Sequence, residues 1–507
     1  MENLILFLQG MQTAFAPMNL LFVLVGVTIG MLIGVLPGIG PVAGAALLIP
    51  VTYGLDPTAA IILLAGIYYG SMYGGTITSV LLNIPGDSAS VITTMDGHPL
   101  AKQGRAGVAL GVAALGSFVG STLALLALVF IAPALAGVAL DFGPPEYFAA
   151  MLTGMLLIGA LIGKSLVKGL ISTFLGMALA MVGMEPTMGV ARFNFGFSEL
   201  LGGINFVLIA VGIFGLSQIL LNLDTKAIVT VNERITGMRP RRAELRGTTT
   251  ATLRGSIIGV VLGVIPAISA AVASLVSYAT EKRLAKDPTR FGRGAVEGVA
   301  GPESANNAAA GASMIPLLTL GIPGSPTTAI LLGAFMIHGL TPGPTLFTDE
   351  PEFVWAVIAS LLAGNVILLI FNIKLINLWA KLIQLPYPLL YPAILAIAVI
   401  GAYSINYSMS DVVITLVFAA VGYVMRQLDF PVAPIALSFV LGGNIEWTLV
   451  QTLAMSNDGL LIFLGRPIAL GILIACVAIA VIAMAVRLYM RFVRGKGSDA
   501  NVSTPVG

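Results

Sequence analysis

The chain has 507 residues, 57% of them hydrophobic and 9% charged, with a mean hydropathy of +1.00. Soluble domains carry roughly 25% charged residues, so there is too little charge here to cover a water-facing surface, and lipid must be the solvent for most of the chain. The formal net charge of +2 gives no argument for a nucleic-acid partner, and the single Cys476 excludes disulfides and cysteine metal sites.

Uncharged stretches recur at 107–140, 147–163 with its neighbour 169–184, 200–223, 255–280, 353–373 and 467–486. Each reaches, or nearly reaches, the length that crosses about 30 Å of hydrocarbon as a helix. The expected fold is an all-α polytopic membrane protein with roughly ten to a dozen crossings. At the N-terminus, "MENLILFLQG" has no basic n-region, so no cleavable signal is expected.

The first element of note is "GVTIGMLIGVLPGIG" (26–40). Gly26, Gly30 and Gly34 make a smooth helix stripe that allows close approach of a neighbour, and the stripe runs into "PGIGP" (37–41). Next comes "LLNIPGDSAS" (81–90), a helix breaker followed by small hydroxyl residues, and then the first basic residues, Lys102 and Arg105. "GALIGKS" (159–165) is one residue short of the phosphate-loop spacing, so Lys164 and Lys168 read as cytoplasmic loop charges and no ATP motor is expected. The 224–254 segment holds Lys226, Arg234, Arg239, Arg241, Arg242, Arg246 and Arg254; the C-terminal end holds Arg487, Arg491, Arg494 and Lys496. The positive-inside rule puts both in the cytoplasm and the N-terminus outside.

The second half repeats the first. "GSIIGVVLGVIPAIS" (255–269) aligns Gly255, Gly259 and Gly263 with the first stripe and Pro266 with Pro37, and "LTLGIPGSPTTA" (318–329) returns the Ile-Pro-Gly element. Loop charges reverse sign between the halves. Glu2 and Asp56 flank the first stripe and Lys102 follows its Ile-Pro-Gly. Arg246, Arg254, Lys282 and Arg283 flank the second stripe, and Asp349, Glu350 and Glu352 follow its Ile-Pro-Gly. The repeats are therefore expected to be inverted in the membrane. Residues 255–280 are basic on both flanks, which a simple crossing would not allow. A turn at Pro266–Ser269 gives arms of about 11 residues, roughly 17 Å of helix, and hence a re-entrant hairpin in each repeat, with each Ile-Pro-Gly breaking a discontinuous crossing. The expected organisation is 1–223 for the first inverted repeat and its scaffold helices and 224–254 for a cytoplasmic basic linker. Residues 255–495 form the second repeat and scaffold, and 496–507 a disordered cytoplasmic tail.

Several residues keep two readings. "PESANNAAAG" (302–311) is either a capped helix start with Glu303 in the first turn or an intramembrane polar cluster in which Asn306 and Asn307 serve a ligand. Tyr68, Tyr69, Ser71 and Tyr73 are core packing or cavity lining. Asp87 is a cation ligand or a turn residue; His98 and His338 are loop residues or a proton relay. "NIKLINLWAKLIQ" (372–384) aligns Lys374, Asn377, Lys381 and Gln384 beside Trp379, as in an interfacial amphipathic helix. Motifs of intramembrane enzymes are absent, so the chain is not expected to be an enzyme.

The sequence resembles the large membrane subunit of the tripartite tricarboxylate transporters. The resemblance rests on "GVLPGIGP" (34–41), "YYGSMYGGTITSVLLNIPGDSASVITTMDGHPLAKQGRAG" (69–107), "GPESANNAAAGASMIPLLTLGIPGSPTTAILLGAFMIHGLTPGP" (301–344) and Gly442–Gly443. It covers essentially the whole chain, and departs at "PAISA", where the second hairpin tip lacks the Pro-Gly of the first. The resemblance implies a multi-pass protein of a bacterial inner (plasma) membrane. Its partners would be a small membrane subunit and a periplasmic solute-binding protein that delivers a small carboxylate, and transport would be coupled to an ion gradient, plausibly Na⁺, without ATP or another cofactor. A proton-coupled carrier and a passive anion channel are the alternatives.

Within that frame, helix-start N–H groups at a mid-membrane break attract anions and helix-end carbonyls coordinate cations. The expected substrate-binding residues are Pro37, Gly38, Gly40, Asn83, Pro85, Gly86, Ser88, Asn306, Asn307, Pro323, Gly324, Ser325 and Thr327. The expected Na⁺ ligands are Asp87, Ser90, Ser269 and Thr328, because hard cations favour oxygen. No Lys or Arg lies in 1–101 or 294–373, so the anion is expected to meet dipoles, amides and hydroxyls, with positive charge arriving as a bound cation.

Overall fold

The computed structural model describes residues 2–36, 38–161, 165–185, 189–222, 235–266, 268–383, 387–456, 459–479 and 481. Pro37, Lys164, Lys226, Arg234, Gln384 and the basic residues from Arg487 onward lie outside the described residues. Those described are overwhelmingly helical; their β-structure is one short antiparallel pair, Gly183–Met184 with Ala191–Arg192. Arg192 of that pair reaches Glu446 at 2.6 Å.

Among the described residues, six single helices are long and apolar enough to cross a membrane: Pro17–Val35, Pro57–Leu82, Ala106–Ala139, Pro351–Lys374, Met409–Gln427 and Ala433–Ala454. A seventh candidate is the pair Gly459–Gly465 and Pro467–Ile479, bent by 96°. This is fewer than the ten to a dozen crossings expected. The remaining apolar sequence is divided among shorter helices such as Gly40–Thr52, Leu166–Ala180, Phe206–Asn222 and Tyr391–Asn406.

Both glycine stripes pack as their spacing demands. The first stripe helix, Pro17–Val35, lies on Pro57–Leu82; the second, Arg242–Val264, lies on Glu297–Ala312. A Cβ on Gly26, Gly30 or Gly34 would come within 3.0 Å of the carbonyl oxygen of Leu63, Ile67 or Ser71. Gly255, Gly259 and Gly263 meet the carbonyls of Gly301, Ala305 and Ala309 in the same order and equally closely. Backbone meets backbone here, so a methyl group has no side chain to push aside. Gly259→Ala is expected to destabilise the protein by about 1–3 kcal/mol through overpacking. The control is Gly54→Ala, where a Cβ meets nothing within 4 Å; equal melting temperatures for the two purified variants would remove the close-packing account.

Each stripe helix is interrupted where proline ends it. Pro17–Val35 stops before Leu36 and the chain resumes as Gly40–Leu48; Arg242–Val264 stops before Ile265 and resumes as Ala270–Leu284. The second stripe helix begins at Arg242, so the C-terminal part of the basic linker is already helical. The helices that run into the two Ile-Pro-Gly elements also end alike. Pro57–Leu82 stops at Asn83, φ 60°, and Met314–Leu320 stops at Gly321, φ 66°. Asn and Gly are the residues that tolerate this left-handed conformation. Ile-Pro-Gly follows each, then a new helix, Val91–Lys102 or Pro326–Ile337.

The 372–384 segment is not one amphipathic helix. Helix Pro351–Lys374 ends within it and a seven-residue helix, Ile376–Leu382, follows the break at Leu375. Lys374 and Lys381 are exposed and Trp379 is buried, while Asn377 bonds the backbone of Ile235 through both its amide N (3.2 Å) and its amide O (2.9 Å).

Candidate functional site

The residues after the two Ile-Pro-Gly elements close the same hydrogen-bond ring. The Asp87 N–H donates to Ser90 Oγ (3.2 Å) and the Ser90 N–H to Asp87 Oδ1 (2.7 Å). In the second half the Ser325 N–H donates to Thr328 Oγ1 (2.8 Å) and the Thr328 N–H to Ser325 Oγ (3.2 Å). Reciprocal capping of this kind satisfies two otherwise orphaned donors at a helix start. Ser90 and Thr328 are thus buried members of these rings, and in the second half Ser325 is the N-cap of Pro326–Ile337 with Thr328 completing the capping box. Gly86 is held between the two helices of its own half: a Cβ there would strike Gly75 and approach the Gly34 carbonyl oxygen.

These segments converge on one cavity of about 1010 Å³. Its walls are Gly38–Ala43 from the first stripe break, Pro85–Ala89 after the first Ile-Pro-Gly, Ile268–Ala270 from the second stripe break and Ser325–Thr327 after the second Ile-Pro-Gly. Tyr68, Met72, Phe214 and Gln218 complete one side; Pro431–Ala433 and Ile479 complete another. Phe214 lies in a single π-helical stretch, Val211–Leu216, a local widening that often marks functional sites. The lining is largely apolar with a few polar groups, as in most small-molecule sites.

Five helices start at this cavity: Gly40–Leu48, Val91–Lys102, Ala270–Leu284, Pro326–Ile337 and Ala433–Ala454. The starts at Ile39, Ser90, Ser269 and Val432 have no side-chain cap. Each start carries a partial positive charge from the helix dipole, and five of them facing one space favour an anion.

One full positive charge adds to them. Arg426, in the last turn of Met409–Gln427, lines the cavity, and its buried Nε has no hydrogen-bond partner. The sequence reading missed this residue. It sits far from both Ile-Pro-Gly elements in the chain, at the end of an apolar run, where a basic residue reads as an orientation signal. Its helix packs on the Phe206–Asn222 segment and on Tyr387–Asn406, outside the stripe pairs. Arg426 is thus a fixed cation on the cavity wall, contributed from outside the two stretches that hold no Lys or Arg.

Of the residues expected to bind substrate or Na⁺, Gly38, Gly40, Pro85, Gly86, Asp87, Ser88, Ser269, Ser325 and Thr327 line the cavity. Asn83, Ser90, Pro323, Gly324, Thr328, Asn306 and Asn307 are not among its lining residues. Asn83 is an exposed helix terminator; Gly324 packs close to Ser313 and the Gly263 carbonyl. Neither histidine lines the cavity: His98 Nδ1 lies 3.1 Å from the Val80 carbonyl and His338 Nε2 lies 3.0 Å from Thr52 Oγ1. Lys168 donates to the Leu428 carbonyl at 2.6 Å and lies over the Phe430 ring.

Asn306 and Asn307 belong to a second polar cluster. The capped-start reading of this segment is overturned, because the helix runs from Glu297 to Ala312 with Pro302 inside it, and Glu303 is 0% exposed. The Glu303 carboxylate accepts from the hydroxyls of Thr76 (2.8 Å), Thr93 and Ser117 (3.4 Å). Asn307 donates to Ser117 Oγ at 2.8 Å and to Asn306 Oδ1. Of the tyrosines, Tyr68 reaches the cavity, while the Tyr73 hydroxyl donates to Asn365 Oδ1 at 2.7 Å.

The chain matches the family model described as the Tripartite tricarboxylate transporter TctA family over residues 20–437. It is 45% identical over 477 residues to an uncharacterised 52.8 kDa protein in the TAR-I ttuC' 3' region of Agrobacterium vitis, covering 93% of this chain and 95% of the relative. A second relative, an uncharacterised protein in the TAR-II ttuC' 3' region of the same organism, is 47% identical over 214 residues, which is 42% of this chain and 88% of that protein. No solved structure matches the chain. With the family model spanning most of its length, the chain belongs to the tripartite tricarboxylate transporter TctA family and is a multi-pass helical membrane protein of that transporter family.

Proposed function

We propose that this protein takes up a small di- or tricarboxylate, such as citrate, by secondary active transport coupled to a cation gradient, Na⁺ first. The observation that carries this reading is the convergence of five helix starts and the unpaired Arg426 on one cavity. That combination of partial and full positive charge suits a compact polyanion.

The two halves act as inverted repeats, each contributing a re-entrant hairpin and a broken crossing. Their matched stripe contacts and matched capping rings support the repeat; the reversal of loop charge supports the inversion. Non-helical backbone beside a cavity at membrane depth is the arrangement transporters of this design use. Family membership supports a small membrane subunit and a periplasmic solute-binding protein as partners, in a bacterial inner membrane. Basic loops support a periplasmic N-terminus and a cytoplasmic C-terminus. The stripe pairs and hairpins move as one body against the surrounding helices, in an elevator-like cycle, and carry the site from one side to the other. Asp87 and Ser269, with oxygens on the cavity wall, hold Na⁺ beside the substrate.

Purified protein in liposomes tests this reading. Labelled citrate is expected to accumulate above equilibrium when an inward Na⁺ gradient is imposed; plain equilibration would identify a channel instead. Ser325→Ala, which removes a cap at the cavity, is expected to slow uptake roughly tenfold, and Lys374→Ala, at an exposed helix end, to leave it within about twofold. Wild-type uptake in both variants would refute the assigned location of the site.

A further inference from the structure

Two buried carboxylates of this protein are well compensated. Glu281 pairs with Arg254, whose Nε donates to its Oε1 at 2.8 Å. Asp96 accepts from the backbone N–H groups of Gly292, Gly294 and Ala295 and from the Tyr278 hydroxyl. Glu303, as fully buried as Asp96, receives only neutral side-chain donors, the hydroxyls of Thr76, Thr93 and Ser117 and the side-chain amide of Asn306; among the described residues no guanidinium, ammonium or backbone N–H reaches its carboxylate. An ionised carboxylate so placed costs several kcal/mol unless a positive charge accompanies it.

We propose that Glu303, with the oxygens of Thr76, Thr93 and Ser117, binds a monovalent cation, a proton or Na⁺, that moves together with the carboxylate substrate. The proposal rests on the transport reading above and adds a coupling site distinct from the cavity. A carboxylate among three hydroxyls is an all-oxygen set of the kind hard cations prefer. A proton on Glu303 would remove the same uncompensated charge.

Its position supplies the coupling. Thr76 lies on the helix entering the first Ile-Pro-Gly, Thr93 on the helix leaving it, and Glu303 on the helix leading toward the second. Gain or loss of one charge at Glu303 therefore changes the grip on both sides of residues 84–86, and Asp87 between them lines the cavity. Other titratable groups on the packed elements are Tyr68, Tyr69 and Tyr73 on Pro57–Leu82, Asp96, His98 and Lys102 on Val91–Lys102, Tyr278, Glu281, Lys282 and Arg283 on Ala270–Leu284, and Arg242, Glu244, Arg246 and Arg254 on Arg242–Val264. Helix Ala106–Ala139 contributes none. Asp96 with Tyr278 and Glu281 with Arg254 are paired off, and Tyr73 bonds Asn365.

The test is thermal unfolding of the purified full chain, with NaCl against choline chloride at fixed ionic strength, and separately across pH in choline alone. Wild type is expected to rise by about 3 °C or more with Na⁺ or with acidification, and the arm that responds identifies the ion. Glu303→Gln is expected to lose that shift. A wild type insensitive to both, or a Glu303→Gln protein that keeps the wild-type shift, overturns the site. If Glu303→Gln does not fold, Thr93→Val replaces it and must move the half-effective cation concentration at least fivefold; an unmoved value overturns the proposal. Gradient-driven citrate accumulation in liposomes without a Glu303-dependent shift would leave the transport reading standing and remove only this site.

Discussion

Replacing Arg426 with glutamine is expected to weaken citrate binding by at least roughly 30-fold, the effect of about 2 kcal/mol lost when one partner of a buried charge pair is truncated. The Arg426 guanidinium lines the cavity and its buried Nε has no hydrogen-bond partner among the described residues, so its removal orphans no described acceptor at that nitrogen. Stability without substrate should be unchanged or should rise, since an unpaired buried charge is itself costly. A purely structural arginine would give the opposite pattern, a lower melting point with or without citrate. Arg426→Lys keeps the charge and loses the planar two-point fork that matches a carboxylate, so its affinity should fall between the other two. Citrate titration by calorimetry, alongside thermal unfolding in the absence of citrate, checks both halves of the prediction. Wild-type affinity in Arg426→Gln would exclude this side chain from the site.

Asp96→Ala is expected to lower stability by more than about 3 kcal/mol. Three backbone N–H groups and one tyrosine hydroxyl converge on this carboxylate, at 2.7–2.9 Å, inside the fold. Each donor left without an acceptor costs about 1–3 kcal/mol. Asp96 also joins the two halves, because it sits on Val91–Lys102 while its donors lie between Tyr278 and Ala295. Its loss should free the 292–295 turn and expose Arg290 and Arg293 to trypsin. Asp96→Asn keeps one acceptor oxygen and should lose less. An Asp96→Ala protein with the wild-type melting point and wild-type resistance to trypsin would contradict this account.

Much of the architecture was legible because its causes are local. A four-residue glycine spacing makes a smooth face wherever it occurs, and the partners of Gly30 and Gly259 are backbones drawn into that face. Proline and left-handed Asn83 or Gly321 end helices through their own covalent geometry, so the interruptions near 36–39, 83–90, 265–269 and 321–325 follow from residue type. Glu303 was less legible. Pro302 suggested a helix start, but two turns of helix precede the acid, because the packing of neighbouring helices overrides that local signal. The 372–384 stretch differed because its charge periodicity spans a break at Leu375, beyond which Trp379 is buried.

The sequence by itself determined an apolar, membrane-embedded helical chain, the two repeats and the positions where helices stop, since each follows from composition or from the allowed backbone angles of single residues. Only the tertiary structure decided that five helix starts face one cavity, that Arg426 lines it, that Ser90 and Thr328 close buried rings with Asp87 and Ser325, and that Glu303 is sealed among neutral donors. Those outcomes depend on contacts between residues tens to hundreds of positions apart, and no local propensity encodes them.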